Sequence, residues 1–463
     1  MKNKTLTIKS EMGLAMTMKQ VCQTLGKQFS VGVFALLLTA APVYAGVKIQ
    51  HWQAKSGAKV LFVENHDLPM LDVAVDVDAG SRRDTPEKAG RAALTVHLLQ
   101  LGAGGMNDDE IARKLADIGA EMGESFDPDR AGYRLRTLSS PRERDQALDI
   151  MAKVLQQPGF PETVLTREKA RTIAGLKEAE TRPENIAEKA FFKAIYGNHP
   201  YALPGDGEVR TVSKLTRQDL IDFYEAHYAA SGAIVSLIGD VTRAQAEAIA
   251  EQLTAKLPRA QPQAALPPVV PLTQASTLRI PHPATQTHIL IGAPGIARGD
   301  PDYFTLYVGN YVLGGGGFDS RILTEIREKR GLAYSAYSYF IPFKQPGPFQ
   351  IGLQTKKQDA DTALQVARAT LAAFIKTGPT DAELDQAKNN IILGFPLRID
   401  TNRKILDYLA VIGFYDLPLT YLDDFTRNVD KVTAQQVRAA FQRHVDTDKM
   451  ATVMVGAPEA AAK

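Results

Sequence analysis

Thiols are almost absent from this chain. Its 463 residues hold a single cysteine, Cys22. That excludes a disulfide framework, a cysteine-ligated zinc site and a Cys-Cys redox pair. Long apolar runs are also scarce. The clearest is Val31–Ala41, too short for a permanent membrane span, which takes about 20 residues. Charge of one sign is missing as well: a net of +2 gives no reason to expect a nucleic-acid partner. Gly205-Asp206-Gly207 reads as a turn, since no GKS or GKT follows to make a phosphate loop. With 44% apolar and 23% charged residues, the composition is that of an ordinary globular protein.

The one apolar run has a function of its own. Lys2, Lys4, Lys9, Lys19 and Lys27 precede it against a lone acid, Glu11, and Pro42-Val43-Tyr44-Ala45 follows it. Small residues then stand before a cleavage point after Ala45, the form of a secretory signal spanning residues 1–45. The leader is long, so translation could begin at Met12, Met16 or Met18. Its removal takes Lys plus Arg from 54 to 49 and Asp plus Glu from 52 to 51, and removes Cys22. The mature chain is expected to be periplasmic, free of thiols and not held at a membrane.

At this length the chain exceeds one ordinary core. Runs such as Ala58–Val63 and Leu71–Val77 read as strands, and 92–101, 107–119 and 145–156 as helices. Residues 161–192 form a long polar helical region interrupted at Pro183. Thr216 caps a helix over 216–228, with Asp219 completing a capping-box variant. Leu257–Ser276 carries Pro258, Pro262, Pro267, Pro268 and Pro271 among Ala and Gln, the composition of a semi-extended linker. The second half then repeats the first. Thr216…Asp219…His227 followed by Ala233–Gly239 is answered by Thr433…Gln436…His444 followed by Ala451–Gly456. The fold expected is α+β: two duplicated domains, 46–256 and 277–463, each a mixed, mainly antiparallel sheet with helices on it. The linker 257–276 joins them, and they enclose a cleft.

The stretch Gly314–Ser338 stands out. Gly314, Gly315, Gly316 and Gly317 lead into a helical pattern over Ser320–Glu328, Gly331 marks its stop, and an extended aromatic run starts at Tyr334. A loop, a helix and an outgoing strand put Arg327 and Tyr334 near one opening. Taken alone, Arg327 reads as a solvated helix arginine and the four glycines as a flexible hairpin.

Two stretches together carry a family resemblance. Ala79–Ala92 (AGSRRDTPEKAGRA) resembles the approach to the metal site of the pitrilysin-type peptidases, which include mitochondrial processing peptidase and insulin-degrading enzyme. The segment from Gly314 resembles the same family's C-terminal signature. Active members carry His-x-x-Glu-His on a helix, with a further glutamate some 75–80 residues on as third zinc ligand. Counting from Gly90, that motif falls at 93–97, which here reads Ala93-Leu94-Thr95-Val96-His97. Ala93 stands for a ligand, Val96 for the catalytic base, and Gly175 near the third ligand; only His97 remains. Glu178 and Glu180 are close by without taking the third place. His97 lies in an apolar run and is expected to be buried and hydrogen-bonded. The remaining histidines are scattered, with no helical pair at metal spacing, so no metal is expected in this chain.

The resemblance implies that Arg327 and Tyr334 hydrogen-bond a peptide substrate near its scissile carbonyl. Zinc would then come from a homologous partner subunit in a heterodimer, and this chain alone would be inert. The alternative is a catalytically inactive peptide-binding or scaffold homologue with no part in hydrolysis.

Overall fold

The structure, a computed structural model, describes residues 47–259 and 263–456. The leader 1–45, its cleavage point and Cys22 lie outside the described residues. Of the strands in the first half, β1 (Gln50–Gln53), β2 (Lys59–Glu64), β3 (Met70–Val77), β6 (Glu121–Phe126), β7 (Ala131–Leu138) and β8 (Ile234–Gly239) make one sheet; β4 (Gly102–Ala103) and β5 (Met106–Asn107) make a small hairpin. The second half has β9 (Ser276–Ile280), β10 (Gln286–Pro294), β11 (Ala333–Phe340), β12 (Pro348–Lys356) and β13 (Ala451–Val455). The longer helices of the first half are α1 (Arg91–Leu99), α2 (Asp108–Asp117), α3 (Pro141–Gln156), α4 (Glu162–Ala179), α5 (Pro183–Tyr196), α6 (Arg217–His227) and α7 (Arg243–Thr254). Those of the second are α8 (Tyr303–Asn310), α9 (Ala360–Thr377), α10 (Asp381–Gly394), α11 (Asn402–Phe414), α12 (Tyr421–Asp430) and α13 (Ala434–His444).

The duplication shows in strand order. The first sheet runs β1-β2-β8-β3-β7-β6 and the second, read from its parallel end, β9-β13-β10-β12-β11. In each, one parallel pair (β2 with β8, β9 with β13) is followed by antiparallel pairs, and the first sheet has β1 added antiparallel outside β2. So β6 and β11 are equivalent strands, both at an edge. The repeated caps are present too: Thr216 with Asp219 opens α6, and Thr433 with Gln436 opens α13. Pro183 sits in the first turn of α5, where a missing N–H costs nothing. It therefore ends the long polar region as one helix and restarts it as another.

The halves exchange helices. α5 packs on β10 and β13 of the second sheet, while its counterpart α11 packs on β8, β3 and β2 of the first. Phe191 of α5 is fully buried, in a cluster with Leu290 and Val453. Both contacts are close enough to demand glycine. A Cβ on Gly292 would stand 2.9 Å from Phe191 Cζ, and one on Gly413 would stand 2.5 Å from Ile234 Cγ2. A buried carboxylate ties the halves further. Asp129 pairs with Arg82 Nε at 2.8 Å. It also accepts from Tyr201 Oη at 2.7 Å, from the Lys344 N–H at 2.7 Å and from Tyr415 Oη at 2.8 Å. The described linker residues, 257–259 and 263–275, run over this joined body without helix or strand until β9. The Ala264 carbonyl accepts from Arg83 at 2.7 Å and the Pro267 carbonyl from His199 at 2.9 Å. Among the described residues no helix is long and apolar enough to cross a membrane.

Candidate functional site

In the first half the site is built by α1, β6 and α4. Gly90 enters α1 at φ +92°, a conformation that strains other residues. The Asp84 carboxylate then caps the helix, accepting from the Gly90 N–H at 2.9 Å and the Ala92 N–H at 3.1 Å. Burial pushes the Asp84 carboxyl up to about 7, against the pull of Arg91 and the two N–H groups. The apolar face of α1 carries Leu94, Val96, Leu98 and Leu99 into the core, with Val96 only 1% exposed. Ala93 and His97, four residues apart, share the other face.

His97 is not buried in the apolar run, as its neighbours suggest. Its side chain is one-third exposed, 33%, because it lies on the face of α1 turned from the core. Its Nδ1 faces Glu124 of β6 at 3.3 Å and its Nε2 faces Glu168 of α4 at 3.3 Å. The hydrogen bond to Glu124 raises the imidazole above its ordinary range; burial opposes this and Glu168 adds to it. Burial alone would raise Glu168 too, but Arg167 and His97 hold it below the usual carboxylate range. Gly175 lies two turns beyond Glu168 on α4, with no atom within 4 Å of where its Cβ would be.

These residues do not fit a catalytic zinc. Such a site needs three protein ligands and a neutral imidazole with a free nitrogen. Ala93 and Gly175 offer no ligand atom, Val96 faces the core, and both nitrogens of His97 are engaged by carboxylates. Glu178 is paired with Arg182, and Glu180 lines a separate cavity of about 620 Å3 beside Phe126, Leu176 and Ile186. Glu124 and Glu168 are the site residues the sequence did not announce. Nothing in a polar helix distinguishes Glu168 from Glu162, Glu178 or Glu180. Among the described residues Asp300, Asp302 and His444 also come together. There Arg443 makes two-point contact with Asp302, at 2.9 and 2.7 Å, so the cluster reads as an ion-paired one.

In the second half Gly314, Gly315 and Gly316 are packed, while Gly317 has open space at its Cβ position. A Cβ on Gly314 would stand 2.4 Å from Ser338 Oγ, and one on Gly315 2.8 Å from Asn310 Nδ2. Asn310 and Ser338 lock together beneath them, Asn310 Nδ2 donating to the Ser338 carbonyl at 2.8 Å and Ser338 Oγ to Asn310 Oδ1 at 2.7 Å. In place of the continuous helix expected over 320–328, a single α-helical turn, Arg321–Leu323, runs into a π-helical turn, Thr324–Glu328; another π-helical turn, Tyr311–Gly315, carries the first two glycines. Gly331 ends the second one at φ +63°, its N–H reaching the Arg327 carbonyl at 2.9 Å. Arg327 and Tyr334 are brought together: the guanidinium carbon lies 4.7 Å from the centre of the Tyr334 ring. Tyr334, on edge strand β11, is 82% exposed. Among the described residues no hydrogen bond or ion pair joins Arg327 or Tyr334 to His97, Glu124 or Glu168.

Comparison with known proteins bears on both halves. A family model described as insulinase (peptidase family M16) matches residues 59–205, and one described as peptidase M16 inactive domain matches residues 214–391. The crystal structure of a peptidase M16 inactive domain from Pseudomonas fluorescens superposes with a TM-score of 0.86 at 38% identity, over 90% of this chain and all of that one. A Helicobacter pylori relative named non-peptidase homolog YmxG is 25% identical over 92% of this chain and 96% of its own length. The Bacillus subtilis protein named uncharacterized zinc protease YmxG is 24% identical over 77% and 86%.

Proposed function

The chain belongs to the M16, or insulinase, peptidase family, and from that premise we propose that it is the non-zinc subunit of a heterodimeric periplasmic zinc peptidase. In this reading residues 46–256 are the half with the degenerate metal positions. Residues 277–463 are the half that binds substrate, and 257–276 the connection between them. A homologous partner carrying His-x-x-Glu-His supplies the zinc and its activated water. This chain supplies Arg327 and Tyr334, with the Gly314–Gly317 loop holding them, to a peptide lying against the partner's metal site.

One observation carries the reading. Arg327, half-buried, stands against the exposed ring of Tyr334, and among the described residues no carboxylate pairs with Arg327. Its neighbours are otherwise engaged: Lys329 and Arg330 both bind Glu325, at 2.6 Å each. A guanidinium and a phenol are donors to an oxygen that gains charge as a carbonyl is attacked. Removing one such donor costs on the order of 10²–10³ in kcat. The free edges of β6 and β11 add unpaired backbone groups that an extended peptide can bond. Export rests on the leader 1–45.

The test is reconstitution. The mature chain is mixed with a secreted homologue bearing the full zinc motif, and hydrolysis of a quenched fluorescent peptide is followed. Turnover should appear only in the mixture and fall sharply with Arg327→Ala or Tyr334→Phe. The other reading, a scaffold or peptide-binding homologue, is favoured by the non-peptidase name of the Helicobacter relative. Under it Arg327→Ala leaves every hydrolysis rate unchanged.

A further inference from the structure

The aromatic residue that follows the four glycines has no role so far. Phe318 is 64% exposed. Its ring centre lies 4.9 Å from the guanidinium carbon of Arg327. The Tyr334 ring lies 4.7 Å from the same carbon. Arg327 is thus held by two aromatic rings, one from the loop and one from β11, and it makes no ion pair among the described residues. We propose that Phe318 is the positioning residue of this site: it holds the Arg327 guanidinium against Tyr334 so that its N–H edge meets a peptide carbonyl. This deepens the reading of the chain as a substrate-binding subunit and rests on it.

The physical case has three parts. A guanidinium presents donors around its edge and none on its faces. A ring attracts the guanidinium through its π face without accepting its N–H groups in hydrogen bonds, so two rings hold it and leave its donors free, whereas a carboxylate partner would consume them. Second, a loosely held arginine samples many rotamers, and ordering it as charge develops on the carbonyl costs entropy that an arginine held by two rings has already given up. Third, the loop is built to deliver the ring. Gly317 has φ +65° with open space around it, so backbone direction and not crowding requires glycine there. Gly314 and Gly315 pack on Ser338 and Asn310 behind it, anchoring the loop to the strand that carries Tyr334. The four glycines therefore aim Phe318 from a fixed base.

The experiment has two arms, and the first needs no partner. In the full mature chain labelled at arginine, the Arg327 side-chain resonances are assigned from their loss in Arg327→Lys. They should be shifted upfield by the rings. Phe318→Leu should move them towards the random-coil position, and Phe318→Tyr should restore them. In the second arm the same variants are mixed with the zinc-bearing homologue and assayed on the quenched peptide. Phe318→Leu should lower kcat about 2- to 30-fold, the range that cation–π contacts supply, while Phe318→Tyr stays near the unaltered protein. KM should change little, because the charge Arg327 meets develops after binding. Unmoved Arg327 resonances in Phe318→Leu would overturn the proposal. So would a change confined to KM, which would make Phe318 a direct substrate contact. If the unaltered mixture has no activity while the resonances behave as expected, the two-subunit reading fails and the positioning role stands.

Discussion

Replacing Asp129 by asparagine tests whether the two halves act as one body. Asp129 is fully buried, and its partner Arg82 is 3% exposed. Its carboxylate receives Arg82 and Tyr201 from the first half, and the Lys344 N–H and Tyr415 from the second. Burial and the nearby Asp129 charge push both phenols well above the ordinary tyrosine range, so they stay protonated and donate. Asparagine has the same shape but offers one acceptor oxygen, and it turns an NH2 towards donors that need an acceptor. Arg82 keeps only its contact with Asp78, at 2.9 Å. Breaking a buried pair in this way costs about 3–5 kcal/mol. At roughly 2 cal/mol/K per residue, about 400 residues give an unfolding entropy near 0.8 kcal/mol/K, so the apparent midpoint should fall by about 4–6 °C. Tyr415→Phe removes one hydrogen bond and should lower it by about 1 °C. Because the two residues touch, the double variant should lose less than the sum. Differential scanning fluorimetry at one scan rate reads all three. An Asp129→Asn midpoint within about 1 °C of the unaltered protein would refute the assignment of this carboxylate as the tie between the halves.

Three further outcomes follow from the packing and the charges. Gly413→Ala should destabilise by about 1–3 kcal/mol, because its Cβ meets Ile234 and Leu61. Gly394→Ala, with open space at its Cβ, should be neutral or stabilising; equal losses at both sites would contradict the tight seating of α11 on the first sheet. The imidazole of His97 is raised above 6.5 by Glu124 and Glu168, so its contribution is fully present below about pH 6.5 and is lost as pH rises through the folded value. His97→Gln should therefore lower the melting midpoint more at about pH 5.5 than at about pH 8.5, and a loss that grows with pH would reverse the assignment. Finally, a protease site engineered between Pro258 and Gln263 should be cut without separating the halves on size exclusion, since α5 and α11 each cover the other's sheet.

Much of the fold was legible because its signals are local. Capping at Thr216 and Thr433, the break at Pro183 and the stop at Gly331 each act within one turn, and each stands where the residues place it. The edge strand β6 was not legible: Glu121–Phe126 is polar and half-exposed, so no apolar alternation announces it. The exchange of α5 and α11 was hidden as well, since an amphipathic helix does not say which sheet it will cover. Of the candidate site, the departures at Ala93, Val96 and Gly175 and the pair Arg327 with Tyr334 are legible only through the family resemblance. The placement of Glu124 and Glu168 around His97, and of Phe318 over Arg327, depends on contacts between residues 27, 71 and 9 positions apart. No periodicity records those.

The central claim is a chain that holds no metal of its own and works on a metal held elsewhere. Zinc content by elemental analysis, measured on the purified mature chain and on its mixture with the zinc-bearing homologue alongside peptide turnover, tests it most directly. The lone chain should carry far less than one zinc per molecule and cleave nothing, and activity should appear in the mixture with zinc in proportion to the homologue. One tightly bound zinc per molecule of the lone chain, with unaided turnover, would contradict it.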